Sequence, residues 1–287
     1  MPDPVFNFAF TGADLTDSIN IMPNQYGRLR ELGLLPRESI RTTVARIQFR
    51  EGKLAILPHS ERGTPAPAAS KATREDVLVE IPHFARTDVI RTVDVQDRVR
   101  FGSDFELEDM TDAIDVALSD IKRMHDITLE FQRMGAVKGV LTDGAGEELY
   151  NWFTTFGVTK KLVDFELDET ATNVMEKCRE VVRHMEDNLR GETMNGARAL
   201  VSGEFFDDLI GHPNVEKFFL NHQAAVSMTG DDPRRGFPFG GIVFEEYRGT
   251  APLMDGSSKR FIDAGSAHFF PTGTFQTFAT IDGSPEP

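Results

Sequence analysis

Seven histidines, one cysteine and a run of acids are the side chains in this sequence whose types could do chemistry. The histidines stand at positions 59, 83, 125, 184, 212, 222 and 268. No two share the spacing that would put a pair of metal ligands on one helical face. His184 sits beside the apolar positions of an amphipathic segment, the ordinary place of a structural imidazole. Cys178 lies on the apolar face of the same segment, where a thiol stays protonated and inert. Being single, it excludes an intrachain disulfide and a cysteine metal cage, and it suits a reducing compartment. Asp164, Glu166, Asp168 and Glu169 space carboxylates as a calcium loop does. They lack the sharp-turn glycine and the closing acid that such a loop needs. Gly144-Ala145-Gly146 lacks a third glycine and a following helix, so it reads as a turn. The chain holds no glycine-rich loop ending in Gly-Lys-Ser/Thr, no His-Glu-x-x-His and no Gly-x-Ser-x-Gly elbow. The expectation is therefore no catalytic, metal-binding or cofactor-binding residue. An enzyme would need a convergent pocket of titratable groups that this sequence does not advertise.

The elements around these residues are more informative than the residues themselves. The first ~35 residues contain few periodic runs and read as an arm that orders against a partner surface, with at most one helical turn near Thr16–Asn20. From Ile40 to Phe49 the β-branched content and the alternation of Ala45, Ile47 and Phe49 with Arg46, Gln48 and Arg50 predict a strand. A turn at Glu51-Gly52-Lys53 and a returning strand at Leu54–Leu57 are expected next. Residues 58–73 hold three prolines and no large apolar side chain, and they read as an exposed excursion. Val77, Val79 and Ile81 resume the strand pattern, giving two extended stems with a tip between them.

Ser103-Asp104-Phe105-Glu106 is a capping box. Behind it Met110, Ile114, Ala117, Leu118, Ile121, Met124, Thr128 and Phe131 recur at three- and four-residue spacing. Asp112, Asp115, Ser119, Lys122, Asp126, Glu130 and Arg133 fill the other face, and Gly135 is the expected stop. The result is a helix of ~30 residues, or ~45 Å, suited to lie as a spine across a sheet. Asp143-Gly144 offers a hairpin turn. Val174 to Leu189 marks a second amphipathic helix ending at Gly191, and Arg198–Ser202 a short strand. Gly203–Ile210 and Pro213–Leu220 are two short helices, and Phe237–Phe244 reads as one strand entered through a tight turn. The fold class expected is α+β, and no internal repeat is visible.

Composition bounds the function. The chain has 287 residues, 40% hydrophobic and 27% charged, which supports a folded protein of one or two domains. No secretory signal and no membrane-spanning run is present. The net charge of −15 is unevenly spread: residues 1–100 carry 14 basic and 13 acidic side chains, and residues 101–287 carry 17 and 33. Such a chain is a poor general nucleic-acid binder. It suits head-to-tail association, in which the basic-to-neutral first third of one copy meets the acidic body of the next.

In order and spacing, several stretches resemble the phage capsid protein E family, the lambda-type major capsid proteins of tailed bacteriophages. They begin with Pro23…Gly27-Arg28, Leu32-Gly33-Leu34, Leu57-Pro58, Arg62-Gly63 and Ile81-Pro82-His83. Phe101-Gly102, His125, Leu129-Glu130, Gly135-Ala136-Val137-Lys138-Gly139, Leu149-Tyr150 and Phe156-Gly157 follow. The series closes with Ser202-Gly203-Glu204-Phe205-Phe206-Asp207, His212-Pro213, Phe239-Gly240-Gly241-Ile242-Val243-Phe244-Glu245-x-Tyr247-Arg248-Gly249 and His268-Phe269-Phe270-Pro271. The resemblance implies the tailed-phage capsid fold. An N-terminal arm would occupy residues 1–36, and an E-loop with its stem strands 37–100. A peripheral domain with the spine helix would take 101–149, and an axial domain 150–287.

The implied function is self-assembly, as hexamers and pentamers, into an icosahedral virion shell put together in the host cytoplasm. The shell would enclose DNA without sequence-specific binding, with scaffold, portal and decoration proteins as partners and no membrane. A cargo-enclosing compartment of the same fold is the alternative, and an enzyme a remote one. Arg46, Arg50, Arg62, Lys71 and Arg74 are the expected subunit-interface residues. Lys53 or Lys71 stands where some shells of this fold crosslink, although lambda-type shells rely on decoration proteins. Relatives continue past His268–Pro271 with strands that return beneath the spine. Here Thr274–Phe278 reads as a strand beginning and Ser284–Pro287 as a polar end without strand character, so the C-terminal peripheral strands are expected to be missing. That would leave Ile114, Leu118, Ile121 and Phe131 uncovered, unless a second chain or a rearranged sheet replaces the strands.

Overall fold

The computed structural model describes residues 27–51, 73–91, 110–189, 192–227, 232, 234–253, 256–275 and 277–283. Along them run α1 (Arg28–Glu31), β1 (Arg37–Ser39), β2 (Val44–Glu51), β3 (Thr73–Glu80) and α2 (Met110–Lys138). Next come β4 (Val140–Thr142), β5 (Glu148–Asn151), α3 (Trp152–Thr155), α4 (Val174–Asn188), β6 (Gly196–Val201), α5 (Gly203–Gly211) and α6 (Glu216–Ser227). The last are β7 (Arg235–Phe239), β8 (Ile242–Glu246), β9 (Thr250–Pro252), β10 (Ser258–Arg260), β11 (Ala267–Thr272) and β12 (Thr280–Asp282). Helix and strand are mixed, as the sequence pattern indicates. Two compact units result: residues 36–83 with 279–287, and the remainder up to residue 278.

The larger unit is built on a four-stranded sheet in the order β11-β6-β8-β7. Strands β6 and β8 run parallel, and β11 and β7 flank them antiparallel. Apolar residues alternate to both faces because both faces are covered. On one side Ala197, Ala199, Val201, Phe237, Phe239, Ile242 and Phe244 meet Val174, Cys178 and Val181 of α4 and Phe205, Phe206 and Leu209 of α5. On the other, Leu200 and Phe270 meet Met134 of α2, Leu29 of α1, Tyr247 and Phe261. Local caps start the helices where the pattern begins. The Asn173 side chain accepts from the Glu176 amide, and Ser202 Oγ accepts from the Phe205 amide.

Several local expectations change on contact with long-range packing. The spine does not stop at Gly135 but continues to Lys138, and Gly139, at φ +84°, turns the chain. Gly135 is a close-approach position instead: a Cβ there would stand 2.9 Å from the Val140 carbonyl oxygen as β4 folds back over the helix. The capping box Ser103–Glu106 lies outside the described residues. Phe237–Phe244 is a hairpin and not one strand. Gly240 and Gly241 reverse the chain at φ +62° and +86°, and a side chain at Gly240 would collide with Cys178. The helix expected from Pro213 begins at Glu216 and runs on to Ser227, because His212 and Asn214 are taken up in a turn.

The smaller unit holds β2 and β3, paired antiparallel over eight residue pairs from Val44↔Glu80 to Glu51↔Thr73. The strand partner of β2 is residues 73–80; the returning strand expected at 54–57 lies outside the described residues. No local turn signal reports a pairing across that separation. In the same unit β12 pairs parallel with β1, Arg37↔Thr280 to Ser39↔Asp282, and Arg37 bonds Asp282. The strand expected at Thr274–Phe278 is not formed; the chain becomes extended two residues later and finds β1. The end at Ser284–Pro287 and the helical turn at Thr16–Asn20 fall outside the described residues.

Candidate functional site

The sequence's chemical candidates resolve into structural roles. Cys178 is fully buried, and burial pushes its thiol up to about 12. His212 is 2% exposed; its Nδ1 accepts from the Asn214 amide and its Nε2 lies 3.1 Å from the Glu169 carbonyl oxygen. That pattern describes a ring pinning two loops. His184 is exposed, not buried, and pairs with Asn188 one turn on. Within the acidic run, Asp164 Oδ1 accepts from the Glu166 amide and Glu166 pairs with Lys177 at 3.2 Å. Among the described residues no three His, Cys, Asp or Glu side chains gather as a metal site.

Two buried carboxylates that the sequence reading assigned to no role do the positioning in the larger unit. Glu130 was expected on the polar face of the spine, yet it is 1% exposed. Its Oε1 accepts from the Leu29 amide at 2.7 Å and lies 3.4 Å from the Tyr247 hydroxyl, and Arg133 stands 3.5 Å from Oε2. Burial raises its pKa against the opposing pull of the Leu29 amide and of Arg133. Glu245 is 4% exposed and lies between two arginines, Arg28 of α1 and Arg198 of β6, with Nη–Oε2 distances of 3.1 Å to each. Together they bolt α1 to the spine and the sheet, so Leu29 is fully buried although it lies in the stretch expected to be an arm. Helical spacing could not show this, because α1 covers the side of α2 that periodicity marks as polar. The signal available was Leu129-Glu130 and Glu245-x-Tyr247 within the resembling stretches.

Three of the expected interface residues, Arg46, Arg50 and Arg74, lie in the β2–β3 ribbon. Ala45 and Val79 are register partners and are 5% and 8% exposed. One residue further on, the pleat presents the other face. There Arg46 is opposite Leu78, which is 64% exposed, and Val44, 40% exposed, is diagonal to it. Arg46 pairs only loosely, at 3.9 Å, with Asp76, and both are exposed. Arg50 and Arg74 are direct register partners in the backbone ladder. Arg62 and Lys71 lie outside the described residues. Further apolar exposure falls on the first half of α2, at Ile114, Val116, Leu118 and Met124. Phe131 was expected to share it but is packed against Phe261, 5.7 Å between ring centroids.

A shell protein would be expected to have such features: rigid packing inside the unit and open apolar and charged faces outside it. The comparisons with known proteins agree. The chain is 31% identical over 293 aligned residues to the major capsid protein of Pseudomonas phage KPP10, covering 96% of this chain and 82% of that one. It is 28% identical over 256 residues to the major capsid protein of Salmonella phage Felix O1 (isolate Felix O1-VT1), covering 83% and 69% respectively. The profile of the family described as Phage major capsid protein E matches residues 11–286. The chain belongs to the phage major capsid protein E family, a family of structural shell proteins and not of enzymes.

Proposed function

We propose that copies of this chain assemble as hexamers and pentamers into the icosahedral head shell that encloses phage DNA, with the β2–β3 ribbon as the element that reaches a neighbouring copy. The ribbon itself carries this reading. A two-stranded ribbon is marginal on its own. This one buries Ala45 and Val79 on one face and leaves Val44 and Leu78 open on the other. Arg46, 62% exposed and only loosely paired with Asp76 at 3.9 Å, adds an open positive charge to that face and suits an acidic counter-surface. Residues 101–287, with 33 acids against 17 bases, supply one on the next copy. Such a contact is heterologous, one patch meeting a different patch, and closes into rings when its rotation divides the circle.

On this reading residues 1–36 are the arm, 37–100 the E-loop and its stems, 101–149 the peripheral domain and 150–287 the axial domain. The separate compactness of residues 36–83 supports the second of these boundaries at its start. Scaffold, portal and decoration partners, virion location and assembly in the host cytoplasm follow from the same reading and rest on the family resemblance.

Trypsin tests the proposal on the full chain. In the dispersed subunit it should cut the ribbon after Arg46 or Arg74, and in assembled particles these bonds should be protected. Equal cutting in both states would remove the ribbon from the interface.

A further inference from the structure

A strand at the edge of a sheet offers its outward amides and carbonyls to any strand that reaches it. Strand β7 is such an edge: among the described residues its one strand neighbour is β8. Its apolar content favours pairing. Phe237 and Phe239 are buried, and Phe218 of α6, 56% exposed, stands edge-on to Phe239 with centroids 5.5 Å apart. The donors that a further strand needs are nevertheless withheld. The two-residue turn at Gly240-Gly241 makes Phe239↔Ile242 the first hydrogen-bonded pair of the hairpin, so Pro238, opposite Val243, directs its backbone outward. A proline there has no N–H to give, and Pro238 is exposed. Gly236, at φ +103°, is the extra residue of a bulge that shifts the register between Arg235 and Phe237. Past the bulge the Glu246 amide donates to the Arg234 carbonyl, so Arg235 is the next residue to face outward. Its amide already donates to the Asp232 carbonyl at 3.0 Å. The Asp232 carboxylate fixes that turn. It accepts from the Arg234 amide at 3.0 Å and from Nε and Nη2 of the Arg234 guanidinium at 3.0 and 2.8 Å.

The opposite edge of the sheet repeats part of this pattern. The Ser202 amide donates to the Ser266 carbonyl, and counting in twos along the register turns Pro271 of β11 away from β6. The β2–β3 ribbon is built otherwise: its eight register pairs run without a shift, and neither strand holds a proline.

We propose that Pro238, the Gly236 bulge and the bond from the Arg235 amide to Asp232 together keep the sheet of one copy from pairing edge to edge, through β7, with a second copy of this chain. A shell holds copies at high local concentration, where a weak contact repeated at every subunit is amplified. Sheet-to-sheet pairing would there compete with the contacts that set curvature. The inference stands apart from the role proposed for the ribbon, because it names a contact that is excluded and not the one that is made.

The test restores one donor. Pro238→Thr supplies an outward N–H and a β-branched side chain suited to a strand, without adding a large apolar surface. Full-length wild type and variant are compared by sedimentation velocity below the concentration at which shells form, and hydrogen exchange follows the amide introduced at position 238. The variant should self-associate at a concentration at least about tenfold lower than the wild type, since each copy contributes a new backbone donor. The new amide should be protected from exchange in the associated form and not in the dispersed one. Pro238→Ala, which supplies the amide alone, repeats the measurement if the threonine variant loses the wild-type circular dichroism. Sedimentation indistinguishable from the wild type would overturn the proposal. So would association in which the new amide still exchanges freely, because the contact would then lie elsewhere.

Discussion

Strands β6 and β2 are built from similar alternating sequence but have different surroundings. Strand β6 is hydrogen-bonded on both edges, to β11 and β8, and the sheet around it is covered by α4 and α5 on one side and α2 on the other. Among the described residues strand β2 has one strand neighbour, β3, and its ribbon keeps Val44, Arg46 and Leu78 open on one face. In the first region side-chain identity is set by the chain's own packing. In the second, on the proposed reading, it answers to a neighbouring copy. Subunit stability and shell assembly should therefore respond to different residues.

The largest expected effect is on the first side. Phe244 is fully buried between Phe269 and the α4–α5 layer. Phe244→Ala should cost about 3–5 kcal/mol and remove most of the soluble subunit. Its counterpart, Leu78→Asp on the ribbon, should change subunit stability by no more than about 0.5 kcal/mol and still abolish assembly. A large loss of subunit stability in Leu78→Asp would show that the ribbon is as self-sufficient as the sheet.

Next comes the bolt on α1. Glu130→Ala strands the Leu29 amide and Arg133 inside the unit and should cost about 2–4 kcal/mol. The Leu29 amide should then exchange with solvent far faster. Glu130→Gln keeps an acceptor for that amide and should cost less. The raised pKa fixes the sign of a pH effect. The folded state holds the Glu130 proton to higher pH than the unfolded state does, so this group's contribution is present at low pH and is lost as pH rises through the folded value. Urea midpoints of the wild type and of Glu130→Gln should therefore diverge across that window, with the wild type losing relative stability as pH rises. Parallel curves would mean that the carboxyl titrates like an exposed one.

These cases also mark how far the sequence could be read. The second amphipathic helix was legible because its apolar residues recur every three or four positions from Val174 to Leu189, and α4 ends within a residue of that. The ribbon's alternation was legible too, since period two is a local property. Its partner was not, because β3 lies 22 residues beyond the end of β2 and composition in between reports no pairing. Glu130 was misplaced for a related reason. A helical wheel separates apolar from polar, whereas the spine's last turns are buried on the side that α1 covers, and only the Leu29 amide and Tyr247 make a carboxylate tolerable there. Arg46 and Arg50 could be placed on one strand face from the sequence, but the register that makes Arg74 the partner of Arg50 needed the fold.

The smallest effect on the subunit is expected from Arg46→Glu. Its partner Asp76 is 3.9 Å away and both are exposed, so folding should change by about 0–1 kcal/mol. Assembly should suffer more, because one weak contact is repeated at every copy. An Arg46→Glu chain that assembles at the wild-type concentration would confine the ribbon's role to its apolar residues.

Electron microscopy of the full-length chain expressed alone, beside Leu78→Asp, tests the central claim most directly. The account predicts closed or curved particles from the wild type. From the variant it predicts dispersed subunits of unchanged circular dichroism. Identical particles from both, or none from the wild type under any assembly condition, would contradict a shell held together through the ribbon.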